Sequence, residues 1–96
     1  MNGLEKIRKH SRQIHALAAR HGAIHLRVFG SVARNTDQPG SDLDILVTIQ
    51  QGHDLLDIIE LEEELDTLLG QKTDVVSDEE LSPYMRAGIL REAVPI

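Results

Sequence analysis

Apolar positions recur along the chain with two different periods, and the switches between them mark out alternating helices and strands. Leu4, Ile7, Ile14, Leu17 and Ala18 fall at helical spacing over residues 4–20, with Arg8, Lys9, Arg12 and Arg20 between them. Gly22 suits the stop of that helix. Ile24, Leu26 and Val28 then alternate with His25, Arg27 and Phe29, a strand pattern. Gly30-Ser31 closes the strand, and a short helical turn, Val32-Ala33-Arg34, follows. Residues 35–41 (NTDQPGS) are turn formers throughout, and Pro39-Gly40 fits the centre of a type II turn. A second strand over 43–49 turns Leu43, Ile45, Val47 and Ile49 to one face.

The clearest helix spans 54–69. Leu55, Ile58, Ile59, Leu61, Leu65, Leu68 and Leu69 are expected to pack inward, with Asp57, Glu60, Glu62, Glu63, Glu64 and Asp66 mostly outward as a wet face. Gly70 ends it. Residues 72–77 read as a third strand. Ser82 as N-cap and Pro83 at the first helical position open a last helix that runs to about Ala93, where Pro95 stops it. The predicted order is α-β-α-β-α-β-α. It defines an α/β (α+β) fold: a small mixed sheet of about three strands with helices packed on it. No repeat or linker appears, so residues 1–96 are read as one domain.

Composition narrows the functions. A chain of 96 residues buries roughly 60–65% of its unfolded surface, so its core is small and a partner is expected in what it does. With one Phe, one Tyr and no Trp, no aromatic platform for single-stranded nucleic acid exists. The absence of Cys excludes disulfides and Cys-ligated zinc. No apolar run approaches a membrane span, and the N-terminus has charge where a signal peptide needs an apolar stretch, so a cytoplasmic location is expected. The net charge of −6 is unevenly placed: seven Lys/Arg against one acid up to Arg34, three against fifteen beyond it. Stable direct binding to nucleic acid is not expected of such a chain, although the basic first third can face an anionic ligand or an acidic partner. His10, His15, His21 and His25 read as scattered surface histidines, since no HExxH-type pairing occurs.

The chemistry lies in Asp42 and Asp44. Two apart on a strand, they project together, in line with Leu46 and Thr48. Like charges about 4 Å apart repel by ~4 kcal/mol at an effective dielectric near 20. A raised pKa, a nearby Lys or Arg, or a divalent cation must offset that, and paired hard oxygens suit Mg²⁺ or Mn²⁺. Asp74, in the next strand, can reach the same spot if the two strands are neighbours. Three carboxylates around one or two cations form an acidic triad for phosphoryl or nucleotidyl transfer. Gly30 permits close backbone approach, the N–H groups after it are free to meet an anion, and Ser31 Oγ adds a donor. Arg34 lies one turn on, on the same side as Ser31. Taken singly, Gly-Ser is an ordinary turn and Ser41-Asp-Leu-Asp a solvated strand edge; their spacing is what is unusual.

Val28–Val47, VFGSVARNTDQPGSDLDILV, resembles the signature of the DNA polymerase β-type nucleotidyltransferases: Gly-Ser, a spacer, then Asp-x-Asp flanked by apolar residues. The Gly-Ser-x-Ala-Arg form, the Ser41-Asp-x-Asp continuation, the length and the closing REAVPI resemble its minimal branch, the minimal nucleotidyltransferase (MNT) or MntA-like antitoxins. The pattern departs at Asn35, where many members have Gly, and Asn tolerates the left-handed conformation. The resemblance implies a nucleoside-triphosphate site at Gly30 and Ser31, with Arg34 and Ser41 beside them. It implies Mg²⁺, two ions in number with Mn²⁺ as a substitute, on Asp42, Asp44 and Asp74, with ATP as donor substrate. It further implies a HEPN-domain toxin as partner in a hetero-oligomer, with AMP transferred to a toxin hydroxyl, a tyrosine. The rival expectation is an antitoxin that neutralises the toxin by binding alone, against which stands the intact set Ser31, Asp42, Asp44 and Asp74. DLDILVT also resembles the motif of haloacid dehalogenase-type phosphatases, but Pro39-Gly40-Ser41 stands where that motif needs an apolar strand. An Asp-x-Asp glycosyltransferase fails on length and on the Gly-Ser element.

Overall fold

The computed structural model describes residues 2–96. Helices α1 (Gly3–Lys9) and α2 (Ser11–Arg20) lead into strand β1 (Ala23–Phe29) and the single turn α3 (Gly30–Ala33). Strand β2 (Leu43–Ile49), helix α4 (Leu55–Leu69) and strand β3 (Thr73–Ser77) come next. A 3₁₀ turn (Asp78–Glu80), helix α5 (Pro83–Glu92) and the short strand β4 (Val94–Pro95) complete the chain. The sheet order is β3-β2-β1-β4. β1 is antiparallel to β2 and β4, and β2 and β3 are parallel, with α4 as the crossover between them.

Three expectations are corrected. The helix expected over residues 4–20 breaks at His10, whose backbone leaves the helical region and whose ring hydrogen-bonds the Lys6 carbonyl at 2.9 Å. The sheet has four strands because Pro95 does not merely stop a helix: Val94-Pro95 pairs with Val28 and Arg27 at a sheet edge, where a missing N–H is tolerated. In α4, Ile58, Leu61, Leu65 and Leu69 are buried, whereas Leu55 and Ile59 lie 63% and 42% exposed on its outer side.

The core lies between the sheet and the α2/α4 layer. Ile7, Ile14 and Ala18 meet Leu26, Val28, Leu43, Ile45 and Val47 of the sheet and Leu61 and Leu65 of α4, all of them nearly inaccessible. β1 does not keep a simple alternation. His25 takes a positive φ (54°), and the register with β2 shifts between Ile24 and Arg27. This bulge moves Ala23, Leu26 and Val28 onto the buried side and leaves Ile24 half-buried. Asp54 caps α4 in a reciprocal capping box with Asp57, and left-handed Gly70 closes it.

Candidate active site

The parallel β2/β3 register pairs Asp44 directly with Asp74, and the antiparallel β1/β2 register pairs Asp44 with Phe29. In adjacent strands about 4.8 Å apart, paired residues project from the same face, so Asp44 and Asp74 stand side by side. Asp42 lies just before β2 and is exposed, and its charge acts on both Asp44 and Lys72. Asp44 is half-buried, and its carboxyl is held above the usual carboxylate range. Burial is the largest cause, the charges of Asp74 and Asp42 add to it, and Arg34 pulls the other way. Lys72 Nζ sits 3.1 Å from Asp74 Oδ1 and is itself raised by that hydrogen bond.

Phe29 ends β1, and Gly30 turns at once at φ +73°. A Cβ on Gly30 would lie 2.5 Å from Asp44 Oδ2, so only glycine lets the backbone pass this close to the carboxylate. Ser31 is the next residue of α3, and its carbonyl is taken by Thr36 N–H at 2.9 Å. Asn35 adopts φ 60°, the left-handed conformation that the departure from Gly requires. Arg34 Nη1 contacts both carboxylate oxygens of Glu92 at 3.1 Å. Ser41 Oγ accepts from Gln38 N–H at 2.9 Å, closing the turn in which Gly40 has φ +88°; its carbonyl accepts from the Gln71 side chain. Gly30, Asp44 and Asp74 thus converge, Asp42 and Arg34 border them, and the Ser41 hydroxyl serves the neighbouring turn.

Sequence reasoning missed two charged residues here. Glu92 lies beyond the motif, and only its place at the end of α5 brings it back to Gly30 and Arg34. Lys72 opens the segment before Asp74, and an alternate position at a strand start was the available signal. A cleft of about 600 Å³ lies to one side between α1 and the 37–40 loop, and none of the three aspartates lines it.

The donor set fits a divalent cation: hard oxygens, an excess of negative charge, and one carboxyl made costly to ionise by burial and, after that, by its acidic neighbours. Their oxygens are spread wider than those of another cluster. Among the described residues, His21, Asp57 and Glu60 bring one ligand atom each within 4.8 Å of one another. His21 is therefore no surface histidine. It is buried at the end of α2, with Nε2 2.9 Å from Glu64 and Nδ1 3.3 Å from Asp57. Its pKa is raised, chiefly by the Glu64 hydrogen bond, against an opposing effect of burial. A ring that donates from both nitrogens has no lone pair for a metal, so this cluster reads as an ion-pair clamp between α2 and α4. It lies at the other end of the strands, since β1 starts at Ala23 opposite Ile49, whereas Asp44 faces Phe29.

A Gly-Ser turn over paired aspartates on a mixed sheet is an arrangement chemically suited to nucleotidyl transfer, and the chain is similar to proteins of that class. The family model described as nucleotidyltransferase domain matches residues 6–96. A Methanocaldococcus jannaschii chain assigned as a protein adenylyltransferase, MJ0435, is 39% identical over 85 residues, covering 88% of this chain and 91% of its own. Protein adenylyltransferase MntA of Thermococcus cleftensis is 41% identical over 78 residues, covering 81% and 79%. A solved minimal nucleotidyltransferase is 46% identical and superposes with a TM-score of 0.89 over 100% of this chain and 97% of that one. The chain belongs to the nucleotidyltransferase domain family, in its minimal, MntA-like branch. The same fold, at 19% identity and a TM-score of 0.69 over 92% and 69% of the two chains, occurs in the complex of tri-AMPylated Shewanella oneidensis HEPN toxin with MNT antitoxin.

Proposed function

We propose that this protein is the antitoxin of a toxin–antitoxin pair and transfers AMP from ATP to a hydroxyl, a tyrosine by preference, of a HEPN-domain toxin. The observation that carries the reading is the pairing of Asp44 with Asp74 beneath the Gly30 turn. The relatives named as protein adenylyltransferases support the donor and the class of acceptor. The antitoxin of like fold found with an AMPylated HEPN toxin supports the partner. No described helix is long and apolar enough to cross a membrane, which suits the cytoplasm as the place of action.

Asp42, Asp44 and Asp74 would hold Mg²⁺, or Mn²⁺ in its place, and the bound cation would supply charge stabilisation at the transferring phosphate. The Gly30 N–H and Ser31 Oγ seat the outer phosphates, and Arg34 offsets their charge. The acceptor oxygen forms a bond to the α-phosphorus in line as the bridging bond to the β-phosphate breaks. Pyrophosphate leaves with that electron pair, and the hydroxyl proton passes to the Asp74 carboxylate. The protein's contribution is positioning, which needs Asp44 and Asp74 held side by side as the sheet register holds them.

Intact-mass analysis of the protein incubated with Mg²⁺, ATP and its cognate HEPN chain tests this. The expected result is added AMP on the partner, abolished by Asp42→Ala with Asp44→Ala while the complex still forms. Neutralisation that persists in that double variant, with no mass gained in the wild type, would assign the protein to binding alone.

A further inference from the structure

Two of the three groups that the site offers to a phosphate, the Gly30 N–H and Arg34, already hold a carboxylate. Glu92, the last residue of α5, places Oε1 3.2 Å from the Gly30 N–H and 3.1 Å from Arg34 Nη1, and Oε2 3.1 Å from the same nitrogen. One N–H cannot be given in full to a glutamate and to a phosphate oxygen at once, and two anions at this separation repel. Glu92 is therefore either a brace that a bound nucleotide leaves in place or a stand-in that it must evict. The helix behind it favours eviction. No residue of α5 is buried, Ser82 gives it no side-chain cap bond, and Tyr84 on its first turn is 98% exposed. The chain beyond Glu92 is anchored independently: Val94-Pro95 pairs with β1, and Ile96 N–H donates to the Leu26 carbonyl at 3.0 Å. Glu92 can swing away without unpicking the sheet.

We propose that Glu92 is a displaceable internal occupant of the phosphate position, holding the Gly30 N–H and Arg34 until a nucleoside triphosphate takes them and thereby frees the C-terminal turn of α5. This rests on the reading of Gly30 and Arg34 as a nucleotide site. The device selects by charge: a multiply charged triphosphate outcompetes one carboxylate where a singly charged anion does not. It also makes α5, with Tyr84, Met85 and Leu90 on its surface, responsive to whether the site is filled.

Calorimetric titration of the full chain, with Mg²⁺ and α,β-methylene-ATP and separately with tripolyphosphate, distinguishes stand-in from brace. Glu92→Gln should bind both about two- to fivefold more tightly than wild type, the gain expected from losing a weak, partly exposed ion pair. Glu92→Asp should restore competition. In wild type, amide exchange over residues 89–93 should quicken when the analogue binds, a readout that does not depend on any variant folding. Binding by Glu92→Gln that is equal or weaker, or exchange that is unchanged or slowed, would make Glu92 a brace and overturn the proposal. A wild-type protein that binds neither ligand would overturn the nucleotide reading itself, and this inference with it.

Discussion

At the scale of single residues, Gly30 and Asp44 must be understood together. Their closeness needs a positive φ and an absent side chain, and it presses a carboxylate against a backbone turn. Gly30→Ala should lose about 1–2 kcal/mol of stability to left-handed strain and displace Asp44, abolishing nucleotide transfer. Gly40→Ala has positive φ but open space around it, so it should show a comparable melting loss with activity kept. Thermal melts and mass-resolved transfer on both variants check the pair. Asp44 carries a second cost. Its folded pKa is raised, so ionisation at neutral pH works against the fold, and the penalty grows as pH rises through that value. Removing the charge should therefore stabilise an inactive protein. Asp44→Asn is expected to melt about 2–4 °C higher at pH 7, the half-exposed position limiting the gain, with no advantage well below the carboxylate range.

Among the elements, α4 does more than cover the sheet. β3 is an edge strand, and two of its N–H groups find acceptors on α4: Thr73 on Asp66 at 2.6 Å and Val75 on Glu62 at 2.8 Å. One helical turn between Glu62 and Asp66 spans the two-residue repeat of the strand. These acids, expected to be a wet face, therefore satisfy an exposed edge and deny it to another chain. Thr73 is fully buried, so Asp66→Ala leaves its N–H without a partner and should cost about 1–3 kcal/mol in denaturant unfolding. The exposed Glu63→Ala should cost less than about 0.5 kcal/mol. Element types and the site's motif were legible in the chain because periodicity and turn chemistry are local. The His25 bulge was not, since strand alternation in Ile24–Phe29 looks unbroken until β2 is laid beside it. Nor was β4: two residues carry no periodic signal, and only long-range pairing makes Val94-Pro95 a strand. Glu92 and the His21 clamp were hidden for the same reason, as their partners lie 36 or more residues away.

For the molecule as a whole, polar networks gather at opposite ends of the strands. One end holds Asp44, Asp74 and the Gly30 turn; the other holds His21 with Asp57 and Glu64. The clamp should impose a pH dependence of its own. His21 titrates above its usual 6.5 in the folded protein. Its stabilisation is fully present below that value and is lost as pH climbs through the raised one. Melting curves from pH 5.5 to 9 should show a wild-type advantage over His21→Gln that shrinks as pH rises. An advantage that grows with pH would contradict a charged clamp.

This layout has a practical corollary for work on living cells. On the proposed function, chemistry sits at the pole opposite the His21 clamp, so catalysis can be silenced without loosening that clamp. A version lacking the Asp42 and Asp44 carboxylates would then, on the same proposal, remain a decoy, able to compete for the same partner while conferring no covalent mark.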